Sequence, residues 1–213
     1  LGQKDVAAGT DDHDIAGAQE GLRQHLEDLS CSTNPTQEDA GRRERALHHG
    51  GLVANGVYGE RMRRMLETHK KPYRVIEQAW TAAVDVAAIE RCLEQDPGIT
   101  HLAIVHHETT TGRLNDIAAV GKLCKTRGVT LLLDAVCSFG AEQIDAMGWN
   151  LGALAATANK CLHGAPGLSF VLARNALWAG AAQQAGSVYL DLRAYHAAQH
   201  RDGYSPFTLP VQL

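Results

Sequence analysis

Residues 129–134 read V-T-L-L-L-D, a continuous apolar run that ends in an acid. A run of this kind, preceded by Gly128, predicts a strand that is buried on both faces of a sheet. The same pattern recurs at His101–Val105, and amphipathic stretches with helical spacing lie between such runs. Because strands that alternate with helices pair in parallel through right-handed crossovers, we expect an α/β fold, with a mainly parallel sheet and helices on both faces.

Shorter elements extend this pattern in both directions. Asp85 is expected to cap one helix. Asn115 or Asp116 begins the next helix, which Gly128 closes. Residues 30–50 are polar and aperiodic, so no strand is expected there. The remaining predicted elements are strands at Gly51–Ala54, Tyr73–Ile76, Leu154–Ala158 and Leu168–Leu172 and a helix near Tyr58–His69.

The composition argues against several functional classes. Lys plus Arg is 20 and Asp plus Glu is 24, which gives a net charge of −4 without a basic stripe, so nucleic-acid binding is not expected. The sequence contains no apolar run of membrane-spanning length, so a membrane protein is not expected. Five cysteines are scattered without a C-x-x-C pair, which indicates reduced thiols and predicts a cytoplasmic protein.

Two residues at predicted strand ends carry the main functional hypothesis. Lys160 follows an apolar strand and precedes a G-A-P-G turn, and a desolvated lysine supplies the neutral amine that imine chemistry needs. Asp134 ends its strand, where the functional groups of parallel sheets gather. An amine and a carboxylate so placed are the two fixed partners that pyridoxal phosphate (PLP) requires. The alternatives are a lysine that reaches from a strand end to solvent and an acid that only caps a turn.

Two other predicted strand ends are followed by polar or aromatic residues. Thr109 lies in the run E-T-T-T-G, whose hydroxyls suit contact with a cofactor oxygen or phosphate, although an ordinary turn is the alternative. Tyr58 would stack on a planar ring or simply pack near a helix start. His106 and His107 are adjacent and point in opposite directions on an extended segment, so a metal site is not expected there.

Five segments of the chain resemble the class V aminotransferases of fold type I. They are Asn55–Met62 (N-G-V-Y-G-E-R-M), Val105–Gly112 (V-H-H-E-T-T-T-G), Leu133–Gly140 (L-D-A-V-C-S-F-G), Ala158–Gly167 (A-N-K-C-L-H-G-A-P-G) and Phe207–Pro210 (F-T-L-P). Within that family, the Ala-Asn-Lys-Cys form points to the branch that acts on 2-aminoethylphosphonate rather than to alanine–glyoxylate aminotransferases.

The resemblance implies a PLP-transferase-like large domain that works as a homodimer. It implies that Lys160 holds the cofactor as a Schiff base and moves the substrate proton, while Asp134 pairs with the pyridine nitrogen. The other implied cofactor-binding residues are Tyr58 (stacking on the ring), Thr109 (contact at the ring oxygen), Asn159 (positioning) and Thr208 (phosphate of the neighbouring subunit). The implied reaction transfers the amino group of 2-aminoethylphosphonate to pyruvate and gives phosphonoacetaldehyde and alanine.

The chain also departs from the family pattern. Residues 51–213 correspond to the PLP-binding large domain, whereas residues 1–50 form a divergent segment that resembles the family only over 1–30. No Gly-Ser-Gly phosphate loop is found between Ser30 and Gly51, and the sequence stops at Leu213, so we expect the C-terminal small domain to be missing. The alternatives are a catalytically impaired homologue that keeps only the sheet core and dimer surface, and another class V enzyme such as the alanine–glyoxylate type.

Overall fold

A computed structural model of the chain describes residues 49–180 and 186–209. The elements of these residues, in chain order, are β1 (His49–Ala54), α1 (Val57–Thr68), β2 (Tyr73–Glu77), α2 (Val86–Gln95), β3 (Ile99–Val105), β4 (His107–Glu108), β5 (Arg113–Leu114), α3 (Ile117–Arg127), β6 (Thr130–Asp134), β7 (Leu151–Thr157), β8 (Ser169–Ala173), α4 (Asn175–Gly180) and α5 (Leu192–Asp202). None of the helices in these two ranges has the length and apolar character needed to cross a membrane.

Six strands form one sheet in the order β2-β1-β3-β6-β7-β8. The first five are parallel to their neighbours, and only β8 runs antiparallel to β7. At the centre of the sheet, Asp134 of β6 pairs with Val105 of β3 on one side and with Ala155 of β7 on the other. The mainly parallel sheet is therefore confirmed, and the carboxyl ends of its central strands lie at one edge.

Helices cover both faces of the sheet, as predicted. Side chains alternate along β6, so Leu132 packs in one apolar cluster with Met62 of α1. Leu131 and Leu133 point to the other face and pack in the second cluster, together with Ile89 of α2 and residues of α3. Both clusters consist of buried residues, so the central strands are buried on both faces, which explains their continuous apolar sequence.

The predicted helix caps are also found. The Asp85 side chain accepts a hydrogen bond from the backbone N–H of Ala88, and Asp116 does the same for Ala119 at the start of α3. Gly128 ends α3 in the left-handed conformation, with φ of 68°.

The prediction that residues 30–50 lack a strand is wrong for the last two residues of that range, which begin β1. β1 begins at His49, whose N–H donates to the carbonyl of Gly98, and Gly50 pairs with Tyr73 on β2. The strand therefore depends on partners distant in sequence that a local pattern does not reveal. Residues 1–48, which include the rest of that polar stretch and the family-like residues 1–30, lie outside the described part of the chain.

His106, which follows β3, gives the fold a dependence on pH. Its ring is almost fully buried edge-on against Trp149, and its Nδ1 has no hydrogen-bond partner among the described residues. Burial lowers the pKa of His106 below its usual value. Glu142 raises this pKa and His107 lowers it, but both effects are weaker than that of burial. Because the unfolded chain binds this proton at a higher pH than the folded chain, stability falls as the pH drops below about 6.5.

We expect His106→Phe to reduce this acid destabilisation, because phenylalanine keeps an aromatic ring against Trp149 but cannot bind a proton. Thermal unfolding of the wild type and the variant, compared at about pH 7.5 and about pH 5, measures the difference that the histidine pKa predicts. His69→Gln is the control, since His69 is exposed. Equal losses of melting temperature on acidification in the wild type and His106→Phe would contradict the prediction.

Candidate active site

Four elements supply the predicted site residues near the carboxyl ends of the parallel strands. Asp134 is the last residue of β6 and is only 3% exposed, so its carboxylate is removed from bulk water. Lys160 lies three residues beyond the end of β7, and it is partly buried. Tyr58 opens α1 just after β1, and Thr109 follows β4. Strand ends and the turns after them therefore bring residues from distant parts of the chain to this edge.

Cys137 contacts residues of this group, although no role was predicted for it from the sequence. The Thr109 hydroxyl donates to its Sγ at 2.9 Å. Burial raises the pKa of the Cys137 thiol, and the negative charge of Asp134 raises it further. The hydrogen bond from Thr109 and the positive charge of Lys160 act in the opposite direction and lower this pKa. The Thr109 hydrogen bond to Cys137 and the hydrogen bond from Cys161 to the Cys137 carbonyl bring Thr109 and the turn that contains Lys160 to the segment that follows Asp134.

A tight turn holds Lys160. The carbonyl of Lys160 accepts from the His163 N–H at 2.9 Å, and the Gly164 N–H donates to the Ala158 carbonyl at 2.8 Å. The Cys161 thiol donates to the carbonyl of Cys137 at 3.4 Å, which ties this turn to the segment after Asp134. His163 adopts the left-handed conformation with φ of 57°, which is uncommon for a residue other than glycine. Asn159, beside the lysine, is partly buried.

The Tyr58 ring is half-buried near the same group. Burial raises the pKa of Tyr58; Arg61 opposes this, whereas Cys137, Glu108 and Asp134 add to it. The Arg61 guanidinium lies over the ring, 5.0 Å from its centroid. One face of the tyrosine is therefore occupied by a cation, and a stacked ligand ring would have to use the other face.

Glu108 has a role that sequence reasoning missed. Its side chain is fully buried, and Oε2 accepts from the backbone N–H of Tyr58 at 3.1 Å. Oε1 accepts from the Thr110 hydroxyl at 2.6 Å. The N-cap residue of α1 is Gly56, which offers no side-chain cap, and a Cβ there would lie 2.3 Å from the Glu108 side chain. Glu108 therefore caps α1 from another element and, with Gly56, sets the position of Tyr58.

We expect Glu108→Ala to lower the free energy of unfolding by about 2–3 kcal/mol, since it removes a helix cap and leaves the partly buried N–H of Tyr58 without its acceptor. For a chain of this size, that loss corresponds to a melting temperature roughly 4–12 °C lower. Glu108→Gln is the matched control, because the amide oxygen can still accept from Tyr58. Equal losses in the two variants would contradict a capping role.

Two asparagines, Asn55 and Asn115, form a hydrogen-bonded pair at this edge of the sheet. The Asn55 amide donates to Asn115 Oδ1 at 2.8 Å, and the Asn115 amide donates to the Val105 carbonyl at 2.8 Å. Two buried oxygens here, Asn55 Oδ1 and Thr157 Oγ1 at the end of β7, have no hydrogen-bond partner among the described residues. Because buried polar atoms are normally satisfied, this edge fits an additional polar group.

The structure does not bring Thr208 into this group. Thr208 is exposed on the segment after α5, and among the described residues it makes no hydrogen bond to Lys160, Asp134 or Thr109. Its neighbour Phe207 packs against the rings of Tyr189 and Tyr195. Among the described residues, Thr208 therefore has no hydrogen bond to the predicted site of its own chain.

His106 and His107, the two histidines that follow β3, point in different directions. The buried His106 ring faces Trp149, whereas Nδ1 of His107 lies 3.1 Å from the carbonyl oxygen of Cys137. Among the described residues, no cluster of three or more metal-ligating side chains is found.

Residues 64–205 match the family model of the class-V aminotransferases. The chain belongs to this family. It is 38% identical over 162 residues to a 2-aminoethylphosphonate–pyruvate transaminase of Pseudomonas aeruginosa, and 42% identical over 161 residues to one of Aeromonas hydrophila. These alignments cover 76% and 75% of this class-V aminotransferase chain but only 44% and 42% of the relatives, so the chain spans less than half of their length.

Solved structures of two aminotransferases have the same fold as this chain. A pyridoxamine–pyruvate aminotransferase from Mesorhizobium loti superimposes with a TM-score of 0.75 at 25% identity, over 92% of this chain and 47% of that one. An alanine–glyoxylate aminotransferase from Nostoc sp. superimposes with a TM-score of 0.73 at 22% identity, over 93% and 48%. The predicted PLP-transferase-like fold is thereby confirmed.

Proposed function

We propose that this chain carries the active site of a PLP-dependent transaminase that moves the amino group of 2-aminoethylphosphonate to pyruvate, giving phosphonoacetaldehyde and alanine. Class-V aminotransferases depend on PLP. The observation that carries the proposal is that hydrogen bonds join Cys137, three residues after Asp134, both to Thr109 and to the turn that contains Lys160. The relatives named for this activity support the choice of substrates.

The residues at this edge fit PLP by their chemistry. Lys160 Nζ is the primary amine that would bind the cofactor aldehyde, and the buried Asp134 carboxylate would hold a proton on the pyridine nitrogen. Tyr58 would stack on the ring with the face that Arg61 leaves open, and Thr109 and Asn159 would contact its polar substituents. PLP, when bound, supplies an electron sink for the carbon that carries the amino group.

The protein side chains then have separate tasks. Lys160 Nζ would act as the general base and acid that takes up and returns the proton of the substrate carbon. The hydrogen-bonded turn holds the backbone of Lys160 in place, which limits the positions that its amine can take during proton transfer. The Asp134 carboxylate, when ionised, would act more strongly on the pyridine nitrogen at this low exposure than it would in bulk water.

We also propose that the chain forms a homodimer and that it works in the cytoplasm. Thr208 is exposed, which is compatible with a contact to the cofactor phosphate of a second subunit. The described cysteines, Cys92, Cys124, Cys137 and Cys161, are free thiols, which suits a reducing compartment. Size measurement in solution tests the dimer, and a monomer would contradict the role of Thr208.

The activity is tested with the full chain, PLP, 2-aminoethylphosphonate and pyruvate. We expect alanine and phosphonoacetaldehyde in equal amounts, because each transferred amino group yields one of each. Reaction of alanine with glyoxylate, without reaction of the phosphonate, would instead indicate the alanine–glyoxylate type. A dimer that reacts with neither donor would indicate the catalytically impaired homologue.

A further inference from the structure

Two histidines and a tryptophan form a column of rings at α5. His196 and His200 are one helical turn apart, and their ring centroids are separated by 4.3 Å. The indole of Trp178 on α4 stacks on the His196 ring at 4.3 Å, with an angle of 18° between the planes. The candidate active site uses none of these three residues, although the column joins two helices.

The spacing of the two imidazoles suits a shared ligand. Residues four positions apart lie on the same face of a helix, so both rings project to one side. Two imidazole nitrogens on one tetrahedral ion lie about 3.3 Å apart, given metal–nitrogen bonds of about 2.0–2.1 Å. Ring centroids 4.3 Å apart let one nitrogen of each ring approach that separation by small side-chain rotations. We propose that His196 and His200 form a binding site for a divalent transition-metal ion.

The surroundings of the pair favour this ligand. An imidazole binds a metal only in its neutral form. Burial and the neighbouring His200 lower the pKa of His196, so this ring is neutral at pH 7. Trp178 already holds the His196 ring, so less side-chain freedom is lost on binding. His200 is exposed, which gives an ion access from solvent.

The donor atoms define the class of ion. Imidazole nitrogen suits Cu²⁺, Ni²⁺ and Zn²⁺, whereas Mg²⁺ and Ca²⁺ require oxygen ligands. Two protein ligands leave coordination positions for water, so binding is reversible and follows the general order in which Cu²⁺ exceeds Ni²⁺ and Zn²⁺. This ion site is separate from the transaminase site and does not depend on PLP.

Titration of the full chain with Cu²⁺ tests the site, because the ion quenches tryptophan fluorescence at short range and Trp178 adjoins His196. We expect saturable quenching in the wild type and none with Mg²⁺. His200→Ala should weaken Cu²⁺ binding by about tenfold to a hundredfold, since one of two ligands on a common scaffold is lost. Trp178→Phe should keep binding, measured by calorimetry, but remove most of the quenching.

The controls separate this pair from other histidines. His69→Ala removes an exposed histidine after α1 and should leave the affinity unchanged. His196→Ala should match His200→Ala, and if it does not fold, the exposed His200 decides the outcome alone. Wild-type affinity in His200→Ala, an equal loss in His69→Ala, or the absence of saturable Cu²⁺ binding would each overturn the proposal.

Discussion

Lys160→Ala is expected to abolish covalent attachment of PLP to the chain. In the wild type, incubation with PLP followed by borohydride should leave a pyridoxyl group on Lys160 Nζ, which peptide mass spectrometry locates. Alanine has no amine, so no stable bond can form at that position. The same variant should show no transfer of amino groups, because the group that moves the proton is also lost.

Two controls make the result specific. Lys122→Ala removes an exposed lysine of α3 and should leave the label on Lys160. Lys160→Arg keeps a positive charge at the turn but has no primary amine, so it should also remain unlabelled. A wild-type chain labelled at other lysines and not at Lys160 would contradict the assigned role, as would an equal label in Lys160→Ala.

Much of the fold could be predicted from the sequence because its signals are local. The run at residues 129–134 predicted β6 within one residue, since a strand buried on both faces needs apolar side chains at every position. Asp85, Asp116 and Gly128 marked helix ends, because caps act within one turn of the chain. Asp134 and Lys160 were placed at one edge by the rule that parallel strands end together.

What was missed depends on contacts between distant residues. Glu108 caps α1 across 50 positions of sequence, so no pattern around either residue shows the hydrogen bond. Cys137 receives the Thr109 hydroxyl across 28 positions, although its place three residues after Asp134 put it at the edge. The Arg61 cation over Tyr58 is different, since it lies three positions away on one helix and could have been anticipated.

Asp134→Asn is expected to slow amino-group transfer by about a hundredfold to a thousandfold, the range found when a preorganised polar group is removed from an active site. Asparagine has almost the same volume and keeps an oxygen that can accept from the Val136 N–H, as Asp134 Oδ1 does at 3.0 Å. The fold should therefore persist while the negative charge is lost. Without that charge, the pyridine nitrogen of bound PLP holds its proton less well, and the ring accepts electrons less readily.

The half-reaction with 2-aminoethylphosphonate, followed in a single turnover, measures this effect, and borohydride labelling of Lys160 should be retained. Asp145→Asn is the matched control: Asp145 also accepts a backbone N–H, that of Gly148 at 2.8 Å, but in an exposed turn. If both variants lost rate equally, the cause would be the fold and not the charge at Asp134. A wild-type rate in Asp134→Asn would show that the pyridine nitrogen has another partner, because the buried carboxylate would then be dispensable for the chemistry.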